Sequence, residues 1–389
     1  MSTHRLGRLV SSGAVCEFGF NSVIQSADEL ISPPDIDEFV SPGFIDVQVN
    51  GFAGVDYNDP SVSVEQIAQS LRTMFSTGVT RCFPTLITGS EERITGSLRN
   101  LIAAKRSLEA DQRPEADAIE AFHVEGPHIS PEDGPRGAHP VEHVRPPDLE
   151  EFKRWQSAAE GAIRLVTVSP EWPQTPEYVA ALTRMGIVVS VGHTKASTDQ
   201  IRGAVDAGAT MSTHLGNGAH SKLPKTANYI WDQLAEDRLT PSFVVDGIHI
   251  PASFLKSAIR AKGVERSVLV TDAVMPALCK PGFYRLGSVE VELKDGNRVV
   301  LRSEDRLAGS ALRMDEAIGN AVRMAGITLR DAVSMATVNP ARVCRINGRQ
   351  RGLTPGDKAD LVHFRWDEKD QKLSIRETIV NGAVVYSSE

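Results

Sequence analysis

Residues 188–218 read VVSVGHTKASTDQIRGAVDAGATMSTHLGNG. A short apolar run at 188–192 gives way to Gly-His-Thr. A stretch at 198–207 then carries its apolar residues at helical spacing, and a second short run at 209–214 ends in Thr-His. Strand, helix, strand with short joins is what parallel pairing demands, because parallel neighbours must be linked by a crossover, most often a helix. The same rhythm extends both ways. Further apolar runs lie at 44–48, 79–83, 121–125 and 163–168 upstream and at 243–245 and 267–271 downstream, with helical patterns at 64–74, 91–109, 176–185 and 253–261. Eight such runs predict an α/β fold, a parallel sheet with helical crossovers that closes into a (β/α)8 barrel. An open, doubly wound sheet is the second choice from the same pattern.

The two ends of the chain break this rhythm. The first 40 residues are short segments interrupted by Gly, Ser and Pro, with a turn signal at Ser32-Pro33-Pro34-Asp35. Strand-like runs at 289–293 and 298–301 flank Asp295-Gly296, a hairpin turn signal. Helical patterns return at 314–325 and 329–336, and Asn339-Pro340 is expected to close them. The tail at 361–364, 373–375, 378–380 and 384–386 reads as β, with Asn381-Gly382 as a further turn. The expected organisation is a barrel over 43–343 with a β-hairpin insertion near 287–302. A small β-sandwich-like domain would be assembled from 1–42 and 344–389.

Composition narrows the classes. With 389 residues, 41% of them hydrophobic and 24% charged, the chain is a folded globular protein with room for one large domain and a small companion. The formal charge is −8 and no basic block offsets it, which excludes nucleic acid and anionic membrane as expected partners. No apolar stretch is long enough to span a bilayer, and MSTHRLGRLVSSG lacks the apolar centre of a secretory leader, so the cytoplasm is the expected compartment. Cys16, Cys82, Cys279 and Cys344 lie far apart in sequence, so no thiolate metal knuckle is expected.

Eight of the ten histidines fall between residues 123 and 249, and several close a predicted strand. Barrel enzymes carry their chemistry at the C-terminal ends of their strands. Glu125 in HVEGP, His193 in VGHT and His214 in STHLG occupy that level. A carboxylate and two imidazoles make an N/O donor set suited to zinc or a similar divalent ion. Asp272, at the end of SVLVTD, is a candidate general base. His249, after VVDGI, reads as a substrate contact or a solvated loop residue. His139, in the Gly/Pro-rich PRGAHP, reads as a substrate-recognition or a surface residue. His123 is either a further ligand or a packed core residue, and His4 and His363 lie outside the barrel segment. Together these groups suit amide hydrolysis: a metal activates water and polarises a carbonyl, and one carboxylate moves the proton.

The stretches SPGFIDVQVNGFAGVDYND (41–59), HVEGPHISPEDGPRGAHP (123–140), VGHTKAS (191–197), STHLGNGAH (212–220), VVDGIHIP (244–251), LVTDAVMPA (269–277) and GLTPGDKADLVHF (352–364) occur in this order along the chain. In them the chain resembles the N-acetylglucosamine-6-phosphate deacetylase family of the amidohydrolase superfamily. The resemblance implies a barrel with a small β domain built from both termini, and removal of the acetyl group from N-acetylglucosamine 6-phosphate. It further implies one divalent metal, zinc before iron, and a homodimer. Carried over residue by residue, Glu125, His193 and His214 would be the metal ligands and Asp272 the acid/base. His139 would contact the carbonyl or sugar, and His249, Asn217 and Gly218 would hold the sugar phosphate. The superfamily's HxH pair after the first barrel strand is replaced by Gln48 and Asn50, which implies a single metal and disfavours a two-metal ring hydrolase. Where the family supplies an arginine for the phosphate, this chain has Lys222 and Lys225, of which Lys225 has the better spacing. A point charge replaces a fork there. The alternative is a related amidohydrolase for an unphosphorylated or differently N-acylated amino sugar.

Overall fold

The computed structural model describes residues 3–287 and 289–388. Its centre is an eight-stranded parallel sheet. The strands run in chain order Phe44–Val49, Val79–Ile87, Phe122–Glu125, Ile163–Val168, Val188–Val191, Met211–Ser212, Thr240–Val244 and Val268–Val270. The last strand returns to the first. Val49 bridges Ala273 in parallel, and the Asp272 N–H donates to the Gln48 carbonyl at 2.9 Å. The sheet is therefore a closed barrel, which rules out the doubly wound alternative. Its strands are buried on nearly every residue, as expected when side chains fill the interior and helices cover the outside.

The helices follow from local chemistry. Thr198–Asp206 opens on a capping box in which the Ser197 hydroxyl accepts from the Gln200 N–H and the Gln200 side chain accepts from the Ser197 N–H. Val64–Phe75 starts the same way, with Ser63 and Gln66. Ile67, Leu71, Met74 and Phe75 turn its apolar face onto the barrel core. No helix among the described residues is long and apolar enough to cross a membrane.

Both chain ends meet in one seven-stranded sheet. Thr3–Leu9, Val15–Phe20, Ile24–Glu29 and Glu38–Pro42 come from the N-terminus, and Leu361–Asp367, Lys372–Val380 and Ala383–Ser387 from the C-terminus. The junction is the antiparallel pairing of Glu38–Pro42 with Leu361–Asp367. This sheet is tied to the barrel by buried charge. The Arg81 guanidinium, on the second barrel strand, grips Asp360 with two bonds, Nε to Oδ2 at 2.7 Å and Nη2 to Oδ1 at 3.1 Å. Arg349 binds the same carboxylate and donates to the Gly43 carbonyl at 2.5 Å.

Four expectations are corrected in detail. The run at 209–214 keeps only Met211–Ser212 in the ladder, because the chain turns out of the barrel at His214, whose φ is 28°. Asn339-Pro340 does not end a helix but sits in the first turn of Val338–Val343, where a missing N–H is tolerated. The runs at 373–375 and 378–380 are one strand. The hairpin insertion has a third strand, Gly282–Leu286, which pairs with Val289–Lys294.

Candidate metal centre

Three barrel strands aim their ends at one point. Glu125 is the last residue of its strand, and His193 and His214 each stand two residues past theirs. Glu125 Oε1 lies 3.2 Å from His193 Nε2 and 2.9 Å from His214 Nε2, and the two ring nitrogens are 3.1 Å apart. All three residues are buried. Among the described residues this is the one cluster of three or more His, Cys, Asp or Glu whose ligand atoms converge, all within 4.8 Å of one another. The donor chemistry fits a divalent ion. His193 Nδ1 lies 2.8 Å from the Pro135 carbonyl, which fixes its proton there and turns the Nε2 lone pair inward. Two imidazole nitrogens and a carboxylate oxygen that converge on one point make a donor set that suits a shared divalent cation. Burial pushes the Glu125 carboxyl up, but the two imidazoles more than offset this and hold it well below the usual carboxylate range. Burial lowers His214, and the Glu125 carboxylate overrides that and raises it.

Asp272 stands two residues past the eighth strand, and it is held by amides rather than by a cation. Asn50 Nδ2 donates to its Oδ1 at 2.7 Å. Gln48 Nε2 bridges it to Glu125, at 3.2 Å and 3.0 Å respectively. Gln48 and Asn50 thus occupy the space beside the triad with neutral donors. Burial and the nearby Glu125 carboxylate push Asp272 up to about 6, the range a carboxyl needs to take and return a proton near neutral pH. The backbone is unusual at these positions: His193, His214 and Asp272 have φ of 47°, 28° and 50°. Non-glycine residues at positive φ carry strain of order 1–3 kcal/mol each and cluster at functional sites.

The remaining candidates line one cavity of about 440 Å³ over the triad. His139 Nδ1 lies 2.8 Å from the Thr88 hydroxyl, and its ring meets His193 edge-on at 4.5 Å between centroids. Burial and the neighbouring imidazole pull His139 down to about 3, so it is a neutral donor or acceptor. His249 is fixed by Asp246, with Nδ1 to Oδ2 at 2.6 Å. The other oxygen of Asp246 accepts the N–H groups of Ile248 and His249, both at 2.8 Å. Asn217 and Gly218 line the cavity too. Gly218 has φ 55°, and a Cβ there would lie 2.6 Å from His193 Nδ1, so this loop packs on the ligand imidazole.

Not every candidate converges. Lys222 and Lys225 are exposed and do not line the cavity, and Arg306 is the lysine or arginine that does. Arg306 is already matched, by Asp133 at 2.7 Å and the Gly137 carbonyl at 3.0 Å. His123 sits below the triad inside the barrel, bonded to the Thr167 hydroxyl at 2.8 Å, which resolves it as a packed residue. Burial drops its pKa to about 4. Sequence reasoning missed Thr88, Asp246 and Arg306. Asp246 was findable, because an Asp before Gly-x-His is placed to cap its own turn. Thr88 and Arg306 reach the site only through tertiary packing.

The chain matches the amidohydrolase family over residues 39–385. It is 34% identical over 360 residues to N-acetylglucosamine-6-phosphate deacetylase of Bos taurus, covering 90% of this chain and 84% of that protein. The Bacillus subtilis (strain 168) protein of the same name is 33% identical over 326 residues, 84% of this chain and 80% of that one. Among solved structures, a mutant of N-acetyl-D-glucosamine-6-phosphate deacetylase from Mycobacterium smegmatis, in complex with N-acetyl-D-glucosamine-6-phosphate, superposes with a TM-score of 0.87 at 27% identity. That match covers 99% of this chain and 100% of that one.

Proposed function

Because this chain belongs to the amidohydrolase superfamily and, within it, to the N-acetylglucosamine-6-phosphate deacetylase family, we propose that it hydrolyses the acetamide of N-acetylglucosamine 6-phosphate to acetate and glucosamine 6-phosphate. The observation that carries this reading is the buried convergence of Glu125, His193 and His214 beside Asp272 at the C-terminal mouth of the barrel. We assign zinc to the triad, since a His/His/carboxylate set leaves a fourth position open for chemistry. A divalent ion bound there supplies Lewis acidity toward water and toward the amide carbonyl. The chain's own residues do the rest. Asp272 takes the proton of the attacking water and returns it to the amine nitrogen as the C–N bond breaks. Its position beside the triad, joined to Glu125 through the Gln48 amide, supports both roles. Asn50 and Gln48 hold the Asp272 carboxylate at the reacting carbon. With the Thr88 hydroxyl donating to Nδ1, His139 presents Nε2–H to the carbonyl oxygen, where negative charge grows. His249, oriented by Asp246, and the Asn217-Gly218 backbone are assigned to the sugar phosphate. We also assign the protein to the cytoplasm and to a homodimer, in which Lys225 is free to serve a neighbouring subunit.

The exposure of Lys222 and Lys225 favours a second reading, in which the amino sugar is unphosphorylated or bears another acyl group. Acetate release by zinc-loaded protein separates the two. N-acetylglucosamine 6-phosphate should be turned over at least about 100-fold faster, by kcat/KM, than N-acetylglucosamine, on the scale set by a lost charge-assisted contact. Equal turnover would transfer support to the second reading, and no release from either compound would overturn the first reading and leave, of the second, only a sugar with another acyl group.

A further inference from the structure

The cavity has two unlike sides. Near Asn217, Gly218 and His249 it offers backbone groups, an amide and an imidazole. The inner face of the three-stranded insertion lines the same cavity. Leu286 pairs with Val289 and Val291 with Leu301, so all four project from one face, and Leu307 and Val274 extend the same surface. Val289, Leu301 and Leu307 are only half-buried. Arg306, the one lysine or arginine that lines the cavity among the described residues, is tied to Asp133 and the Gly137 carbonyl and is not free for an anion.

A sugar hydroxyl or a phosphate pressed on this wall would lose its hydration and find no partner. An alkyl group would gain by the same contact. The acyl substituent is the one purely alkyl group of the substrate, whereas the sugar ring carries a hydroxyl or phosphate on most of its carbons, and the acyl group is the part assigned to the wall. Its extent exceeds a methyl group. Val289 and Val291 are two residues apart on one strand, about 6.6 Å, and at about 1.5 Å per carbon–carbon bond that is the reach of four or five carbons. Resting on the deacetylase reading above, we propose that this wall is an acyl pocket and that the enzyme accepts amino-sugar phosphates whose N-acyl chain is longer than acetyl. The reaction balances as before: the water oxygen joins the acyl carbon, the C–N bond breaks, and the amine leaves with a proton, giving a short-chain carboxylate.

The test is an internal competition between N-acetyl- and N-butyrylglucosamine 6-phosphate on zinc-loaded protein, which reads the kcat/KM ratio whatever fraction of enzyme is active. At about fourfold per buried methylene, and two methylenes more than acetyl, the butyryl compound should match or exceed the acetyl compound, by up to about fifteenfold. Leu301→Trp, which fills the wall from a half-buried position, should lower that ratio by about tenfold or more. A wild-type ratio below about one, or a ratio that Leu301→Trp leaves unchanged, overturns the acyl pocket while the deacetylase reading stands. Hydrolysis of neither compound overturns both.

Discussion

Two groups of buried charge sit in this molecule and are finished in opposite ways. At the foot of the barrel, Arg81, Arg349 and Asp360 join the terminal sheet to the second strand. Asp360 accepts from both guanidiniums and from the Asn381 N–H at 2.8 Å, and Arg81 also donates to the Asn381 side chain at 2.8 Å. Bidentate guanidinium–carboxylate geometry makes this a closed network. At the mouth, Glu125, His193, His214 and Asp272 are also buried, but three of the four have strained, positive-φ backbone. Asn50 Oδ1 and His214 Nδ1 lack a hydrogen-bond partner among the described residues. Buried charge with every valence used holds domains together. Buried charge left incomplete is waiting for something from outside, here a cation and a substrate.

The largest break in this comparison is at the mouth. Asp272→Asn keeps the shape and the Asn50 contact but cannot carry a proton. We expect kcat to fall by about 10³- to 10⁴-fold, read from acetate release, with a melting temperature no lower than that of wild type, since the change removes a carboxyl disfavoured by burial and by Glu125. A variant that loses activity only because it unfolds would place Asp272 with the structural charges instead. At the foot the signs reverse. Asp360→Asn removes the carboxylate that both guanidiniums bind, leaving Arg81 with the more distant carboxylates of Asp117 and Glu120 at 3.8 Å, and should cost about 3–5 kcal/mol of stability, measured by urea denaturation. The folded fraction should keep wild-type kcat. A loss under about 1 kcal/mol, the scale of an exposed ion pair, would mean that the closed network is not what docks the terminal sheet.

These two clusters were not equally legible in the sequence. Glu125, His193, His214 and Asp272 each stand at or just past a strand end, so the strand rhythm alone brings them to one rim, and their residue types suggest the chemistry proposed for them. Arg81 and Asp360 are 279 positions apart and lie in stretches with no motif for their pairing. Nothing in periodicity or composition pairs them, because the pairing is made only when the terminal sheet docks. Thr88 and Asp246 fall between these cases. Each is bonded to a candidate residue, Thr88 to His139 and Asp246 to His249, and a residue placed to aim a neighbour carries no chemical signature of its own. The strand at Met211–Ser212 is short for a related reason: its backbone is bent early to aim His214, and an apolar run does not record that bend.

Acid gives a subtler handle on the closed network. Burial pushes the Asp360 carboxyl up, but the two guanidiniums outweigh it and hold it at about 2, against the usual 3.8. A depressed carboxylate contributes stability that is fully present above its unfolded value, near 4, and lost as pH falls through about 2. The contribution is on the order of 2 kcal/mol. The stability gap between wild type and Asp360→Asn should therefore be constant from about pH 7 to about 4.5 and narrow below about pH 4. A gap that does not change down to about pH 2.5 would mean that the carboxylate is not held by Arg81 and Arg349.

The smallest expected effect tests whether the mouth is tuned by its loops. Gly218 lies flat against His193, and a methyl group there would need 2.6 Å of approach to Nδ1, the atom that is bonded to the Pro135 carbonyl. The left-handed φ of 55° adds backbone strain for any L side chain. Gly218→Ala should therefore move the ring, not unfold the barrel, since the loop is at the rim and the core is untouched. The ring's Nε2 would lose its aim at the point shared with Glu125 and His214. Changes in such supporting contacts weaken metal affinity by about 10- to 100-fold, and we expect the lower end because His193 keeps its bond to the Pro135 carbonyl within reach. The measurement is zinc retention against a competing chelator, with the melting temperature of the chelator-treated protein as control. Zinc affinity equal to wild type would show that His193 is fixed by the Pro135 carbonyl alone, and would reduce the Asn217-Gly218 loop to a substrate contact.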